Sequence, residues 1–137
     1  MEIARQLTIF LANKPGTLAK VCDELAREKI NIWALSISDT SDHSVIRMVV
    51  SDPQKALHLL GERGVLVVEN KVLVLENANT PGTLGGIAHS LAKAKINIEY
   101  AYLASSSKHE TGLAIIRVSD TKKAEKVLSG KKGKKKK

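Results

Sequence analysis

The chain has one cysteine, Cys22, so no internal disulfide can form, and none of its spacings to His43, His58, His89 and His109 resembles a zinc site. A cytoplasmic setting with no metal and no cofactor is therefore expected. Aromatic residues make up only 3% of the 137, one Trp, one Phe and two Tyr, which leaves little for a base-stacking platform and disfavours nucleic acid as a partner. No apolar run approaches the roughly 18 residues of a membrane span, and Met1 to Gln6 lacks the apolar core of a signal peptide. No membrane partner is expected. The formal net charge of +8 is also poorly distributed for binding an anionic partner. Six lysines, Lys131, Lys132, Lys134, Lys135, Lys136 and Lys137, fall in the last seven residues, and without them 16 basic face 14 acidic side chains. Such a Lys-rich end repels itself and has nothing to bury, so residues 131–137 read as a disordered tail.

What the sequence does contain is an internal repeat. Asn13-Lys14-Pro15-Gly16-Thr17-Leu18 returns as Asn79-Thr80-Pro81-Gly82-Thr83-Leu84, and Lys29-Ile30-Asn31-Ile32 returns as Lys95-Ile96-Asn97-Ile98, each displaced by 66. Eleven of the twenty positions from Asn13 to Ile32 match their partners. Val50-Ser51-Asp52 returns as Val118-Ser119-Asp120 at a displacement of 68, which places two extra residues near Ser105-Ser106-Ser107-Lys108, where a hairpin turn tolerates them. Two similar small domains are expected, residues 1–70 and 71–130.

In the first copy, Ile3 to Leu11 has the apolar, β-branched content of a strand and ends at the Asn13-Lys14-Pro15-Gly16 turn. Leu18, Val21, Cys22 and Leu25 then fall at helical spacing, with Lys20, Asp23, Glu24 and Arg27 outward. Strands over Asn31 to Ser38 and Ser44 to Ser51 flank a turn at Asp39-Thr40-Ser41-Asp42-His43. Asp52-Pro53 opens a second helix through Ala56, Leu57 and Leu60, and Val65 to Val68 is a fourth strand. This β-α-β-β-α-β order predicts an α+β, ferredoxin-like fold with an antiparallel sheet under two helices. The second copy repeats it with strands at Val72 to Leu75, Asn97 to Leu103 and Gly112 to Val118, and with helices through Leu84, Ile87, Ala88 and Leu91 and through Ala124, Val127 and Leu128. There the order stops, because Ser129-Gly130 leads into lysines and no fourth strand is legible. An uncovered sheet edge results, and the two copies are expected to pack as a pseudo-dimer through such edges.

A strand, an Asn-x-Pro-Gly-x-Leu turn, a helix and an Ile-Asn-Ile strand, occurring twice in units of this length, resemble ACT domains over nearly the whole chain before the lysines. The resemblance implies a free-standing tandem pair that binds an amino acid or similar small effector at the Pro-Gly turns and a domain interface. It implies regulation of amino-acid metabolism, no catalytic residues, a homo-oligomer such as a homodimer, and a catalytic enzyme as a further partner. The candidate ligand residues are Asn13, Gly16, Thr17, Leu18 and Asn31, with Asn79, Gly82, Thr83, Leu84 and Asn97 in the second copy. A helix start exposes backbone N–H groups suited to a carboxylate, and the Asn carboxamides offer acceptors for an ammonium. A purely structural reading stands beside this one: Pro-Gly is a common turn pair, Thr caps helices, and Asn31 and Asn97 can cap the preceding helix.

Other chemistry finds little support. Cys22 reads as a small core residue, the histidines are scattered, Ser105-Ser106-Ser107 lacks a nucleophile elbow, and Gly82-Thr83-Leu84-Gly85-Gly86 lacks a phosphate-loop lysine. Trp33 reads as a packing residue, although Glu99 stands in its place in the second copy. Two alternatives remain. One is a regulatory small subunit of a biosynthetic enzyme of the acetolactate-synthase type. The other is a nucleic-acid-binding ferredoxin-like protein, which would need stacking rings where Ile46, Met48, Ile115 and Ile116 occur.

Overall fold

The structure is a computed structural model that describes residues 1–39 and 42–135, with side chains described as far as Gly130. Thr40 and Ser41, expected in a turn, and Lys136 and Lys137 of the expected tail lie outside it. The elements run β1 (Glu2–Ala12), α1 (Thr17–Arg27), β2 (Ile32–Asp39), β3 (His43–Val50), α2 (Pro53–Glu62), β4 (Leu66–Ala78), α3 (Thr83–Lys93), β5 (Ile98–Ala104), β6 (Thr111–Val118) and α4 (Thr121–Lys135). The helix α4 thus reaches five residues into the segment expected to be disordered. Lysine is a strong helix former, and extending an existing helix avoids the cost of nucleation.

Two compact units make up the chain, one of Arg5–Asn70 and one of Met1–Ala4 with the chain from Lys71 onward. In the first unit the strand order is β2-β3-β1-β4, and in the second it is β1-β4-β6-β5. The pairs β1/β3 and β2/β3 are antiparallel, as are β4/β6 and β5/β6. These orders place the missing strand. The β1 residues Met1–Ala4 occupy in the second unit the position that the start of β4 occupies in the first, and Met1 and Ile3 pack against the second unit's core. Residues 1–4, expected in the first domain of residues 1–70, thus group with the second unit, and β4 is one unbroken strand through Asn70 where two separate strands were expected.

Each unit buries one apolar face of its sheet beneath two helices. Leu7, Ile9, Ile46 and Met48 meet Val21 and Leu25 of α1 and Ala56 and Leu60 of α2. Leu73, Leu75, Ala114 and Ile116 meet Leu91 of α3 and Ala124 and Leu128 of α4. The register confirms the repeat as a structural one. Ile9 pairs with Ile46 as Leu75 pairs with Ala114, at displacements of 66 and 68, and the two extra residues fall between β5 and β6. Three side chains depart from the sequence reading. Glu24 is buried, with an oxygen 3.7 Å from Arg63 Nε. Cys22 is only half-buried, and Trp33 is 57% exposed rather than packed.

The Lys-Ile pairs of the repeat end the helices. The Ile30 N–H donates to Leu25 O (2.9 Å) and the Lys29 N–H to Ala26 O (3.0 Å), while Ile96 to Leu91 and Lys95 to Ala92 repeat the pattern at 2.9 Å each. This is the Schellman cap, which needs a left-handed residue; Lys29 and Lys95 both sit at φ 60°. The α2 helix ends the same way on Gly64, at φ 78°. A side chain in that region costs about 1–2 kcal/mol, and glycine returns part of the difference as unfolded-chain entropy. Lys29→Gly and Lys95→Gly are each expected to stabilise the protein by about 0.5–1 kcal/mol in denaturant titration. A loss of stability in both would contradict this account of the caps.

Candidate functional site

The two Pro-Gly turns deliver helices that start without a cap. Gly16 (φ 90°, ψ −15°) and Gly82 (φ 90°, ψ −9°) precede α1 and α3, and neither helix has a side-chain cap. No atom lies within 4 Å of where a Cβ would stand on either glycine, so the requirement is the left-handed backbone, not space. In contrast, Asp52 accepts from Lys55 N (3.1 Å) at the start of α2, and Asp120 accepts from Lys123 N (3.1 Å) at the start of α4. The turn uses some donors itself: Thr83 N–H points at Thr80 O (3.3 Å), and Gly86 N–H closes the first helical bond on Gly82 O (2.9 Å). Between them, the N–H groups of Leu84 and Gly85 are the open donors of α3, as Leu18 and Ala19 are for α1. The threonine hydroxyls brace the turns: Thr17 Oγ1 lies 2.9 Å from Ala12 O and 3.1 Å from Lys14 O, and Thr83 Oγ1 lies 3.0 Å from Thr80 Oγ1.

Asn79 is held from two directions. Its N–H donates to Glu110 O (2.8 Å), and its Nδ2 donates to Ser106 O (2.7 Å) and His109 O (3.1 Å), fastening the β5–β6 connection beside the turn. Both side-chain bonds use Nδ2, which leaves the carboxamide oxygen as an acceptor. Asn13 makes the corresponding backbone bond to Asp42 O (3.2 Å).

Asn31 and Asn97 do not join these turns. The Asn31 N–H donates to Ser51 Oγ and its carbonyl accepts from Ser51 N, both at 2.9 Å, and Asn97 does the same with Ser119 at 3.0 Å. Asp42 and Ser51 stand at opposite ends of β3, nine residues apart, a distance of about 30 Å along an extended strand. Within one unit, therefore, no single amino acid can touch both Asn13 and Asn31, or both Asn79 and Asn97. The Schellman residues cap the helices, so side-chain capping by these asparagines is not needed either.

Beside the second turn lies a cavity of about 100 Å³. Thr80, Thr83, Leu84 and Ile87 form one wall, and Asn77, Leu103 and Ala114 form the other. Ser105, Gly112 and Leu113 connect it to a shallower depression of about 350 Å³ bordered by Glu76, Ser106 and His109. No titratable side chain lines the smaller cavity. Sequence reasoning found its Asn79, Thr83 and Leu84 but missed Asn77, Ile87, Leu103 and Ala114. Two of these were findable, because Asn77 and Ala114 stand where the first copy has Leu11 and Ile46.

An ACT domain pair is the family description that matches residues 1–134. The chain belongs to that family. A crystal structure of protein BT0572 from Bacteroides thetaiotaomicron is similar to this ACT domain pair over 95% of the chain and 89% of its own, at 36% identity and a TM-score of 0.89. The ligand-free regulatory subunit of aspartate kinase from Thermus thermophilus shares the fold over 95% of this chain and 97% of its own, at 19% identity and a TM-score of 0.67. The regulatory subunit of aspartate kinase from Thermus flavus does so over 94% of both chains, at 23% identity and a TM-score of 0.60. No curated protein matches the chain. Among the described residues of this ACT domain pair, no helix is long and apolar enough to cross a membrane, and no group of three or more His, Cys, Asp and Glu is placed to hold a metal.

Proposed function

We propose that this ACT domain pair is a non-catalytic, amino-acid-binding regulatory protein of amino-acid metabolism, with its effector at the Pro-Gly turn of the second unit. The observation that carries this reading is the uncapped start of α3 at the rim of a cavity. The Leu84 and Gly85 N–H groups, at the positive end of the helix dipole, suit the effector's α-carboxylate. Asn79 Oδ1 suits its α-ammonium, because an uncharged oxygen accepts without creating a second charge at the site. The amides, hydroxyls and alkyl groups of the lining bind and orient; they supply no nucleophile or proton donor of suitable pKa.

A second reading, a regulatory subunit held by a catalytic chain, draws on the near-complete mutual coverage with the aspartate kinase regulatory subunit from Thermus thermophilus. Purification from the native host under mild conditions distinguishes it: a stoichiometric biosynthetic enzyme supports a subunit, and the ACT pair alone supports a free-standing sensor.

The binding reading is tested by thermal unfolding with each of the twenty amino acids. A ligand at about 100 times its Kd adds about 2.7 kcal/mol to the native state, a rise of several degrees. Asn79→Ala is expected to weaken the response at least tenfold in ligand concentration, whereas Asn97→Ala leaves it unchanged. No response to any amino acid, or a response indifferent to Asn79→Ala, would sink the proposal.

A further inference from the structure

The two units share a turn but differ in the space beside it. In the first unit, Ile46 is 1% exposed and, with Leu11 and Leu18, packs in the core at the sheet end nearest the turn. The register assigns their counterparts in the second unit without ambiguity. Leu11 pairs with Ser44 as Asn77 pairs with Gly112, and Ile9 pairs with Ile46 as Leu75 pairs with Ala114. Each change at these positions removes or polarises packing atoms: Ile46 becomes Ala114, Ser44 becomes Gly112, and Leu11 becomes Asn77. The cavity of about 100 Å³ lies at these three residues. It opens to the surface beside the exposed Leu84 and Leu103, so it is a recess that a ligand can enter.

Asn77 gives the cavity its polarity. It follows Leu73 and Leu75 in the alternation of β4, so its side chain lies on the helix-covered face, where it is half-buried. No hydrogen bond to its carboxamide occurs among the described residues. Asn77 thus offers a donor and an acceptor beside Leu84, Ile87 and Leu103, where a polar group of a ligand can pair with them.

Resting on the binding reading above, we infer that the second unit alone seats the effector's side chain, in the cavity floored by Ala114. Asn77 there selects a small, uncharged side chain bearing a hydrogen-bonding group, such as a hydroxyl. The volume of about 100 Å³ matches a short side chain, and a longer one would extend toward the depression beside it. No charged residue lines the cavity itself, so an acidic or basic side chain finds no partner there. In the first unit, Ile46 and Leu11 fill the equivalent space.

L-Threonine and L-valine have nearly the same shape and differ by a hydroxyl for a methyl, so calorimetry with this pair, and with L-lysine as the charged probe, isolates the role of Asn77. The native chain is expected to bind threonine at least tenfold more tightly than valine and to give no heat with lysine. Asn77→Leu should erase or reverse the threonine preference. Ala114→Ile, which installs the first unit's residue, should abolish binding, while Ile46→Ala should leave it unchanged. Valine binding as tightly as threonine, or a preference that survives Asn77→Leu, would overturn the inference, and this comparison stands even if Ala114→Ile fails to fold. If some amino acid binds the native chain and Ala114→Ile does not weaken it, the inference falls and the binding reading remains. If none of the twenty binds the native chain, both fall.

Discussion

Ile3→Asp is expected to lower the melting temperature by roughly 10 °C, while Glu2→Ala, one residue away on the exposed side, changes it by no more than about 2 °C. Ile3 packs against the core of the second unit, and burying such a side chain contributes about 1–2 kcal/mol. An aspartate there forfeits that contribution and adds the cost of a desolvated charge, so a total near 3 kcal/mol follows. The effect should be unevenly distributed. Hydrogen exchange should accelerate first at β4 beyond Lys71, β5 and β6, whose sheet Met1–Ala4 completes. If Ile3→Asp is as harmless as Glu2→Ala, the N-terminal residues do not supply the missing strand.

The second large effect belongs to the helix-end leucines. Leu91→Ala, and Leu25→Ala at the matching position, should each cost about 3–4 kcal/mol in chemical unfolding. Both side chains are fully buried among sheet residues, and truncation to alanine removes packing atoms and leaves a cavity. Each leucine also stands beneath the isoleucine that closes the Schellman cap, Ile96 over Leu91 and Ile30 over Leu25, so the variant loosens the turn into the next strand as well. A cost below about 1 kcal/mol for both would mean that the helices are held elsewhere.

The duplicated fold was legible because the repeat displays each apolar period twice. Its strand continuity was not. Glu69-Asn70-Lys71 spans the expected domain boundary between two separate strands, yet Glu69 takes a two-pronged bond from Arg5 (2.8 and 2.6 Å), and Asn70 Oδ1 accepts from Thr8 Oγ1 (3.1 Å). The Glu69 hydrogen bond is also the main cause that raises the pKa of the Arg5 guanidinium above its ordinary value. These partners lie more than sixty positions away, so local pattern does not reveal them. The origin of the missing strand was hidden for the same reason: Met1–Ala4 precede the copy that they complete by the length of an entire domain.

The site was half legible. Spacing recovered both left-handed glycines and the bare helix starts, because a Pro-Gly turn has a local conformational cause. It grouped Asn31 with Asn13, which one unit holds at opposite ends of β3, since a motif that recurs at a fixed offset says nothing about which end of the sheet each residue reaches. The helix between them carries the chain back along the strand. The cavity escaped notice because it arises from what the second copy lacks relative to the first, atoms of Ile46 and Leu11; the displacements align these positions in the sequence, but only the β-register brings them together at one end of the sheet.

The central claim, that an amino acid binds at the start of α3, is tested most directly by titrating the isotopically labelled chain with amino acids and following its amide resonances. The account predicts saturable shifts at Leu84 and Gly85, with Asn97 and Ser119, at the far end of β6, unmoved. Shifts centred on Asn97 and Ser119, or none with any of the twenty amino acids, would contradict it.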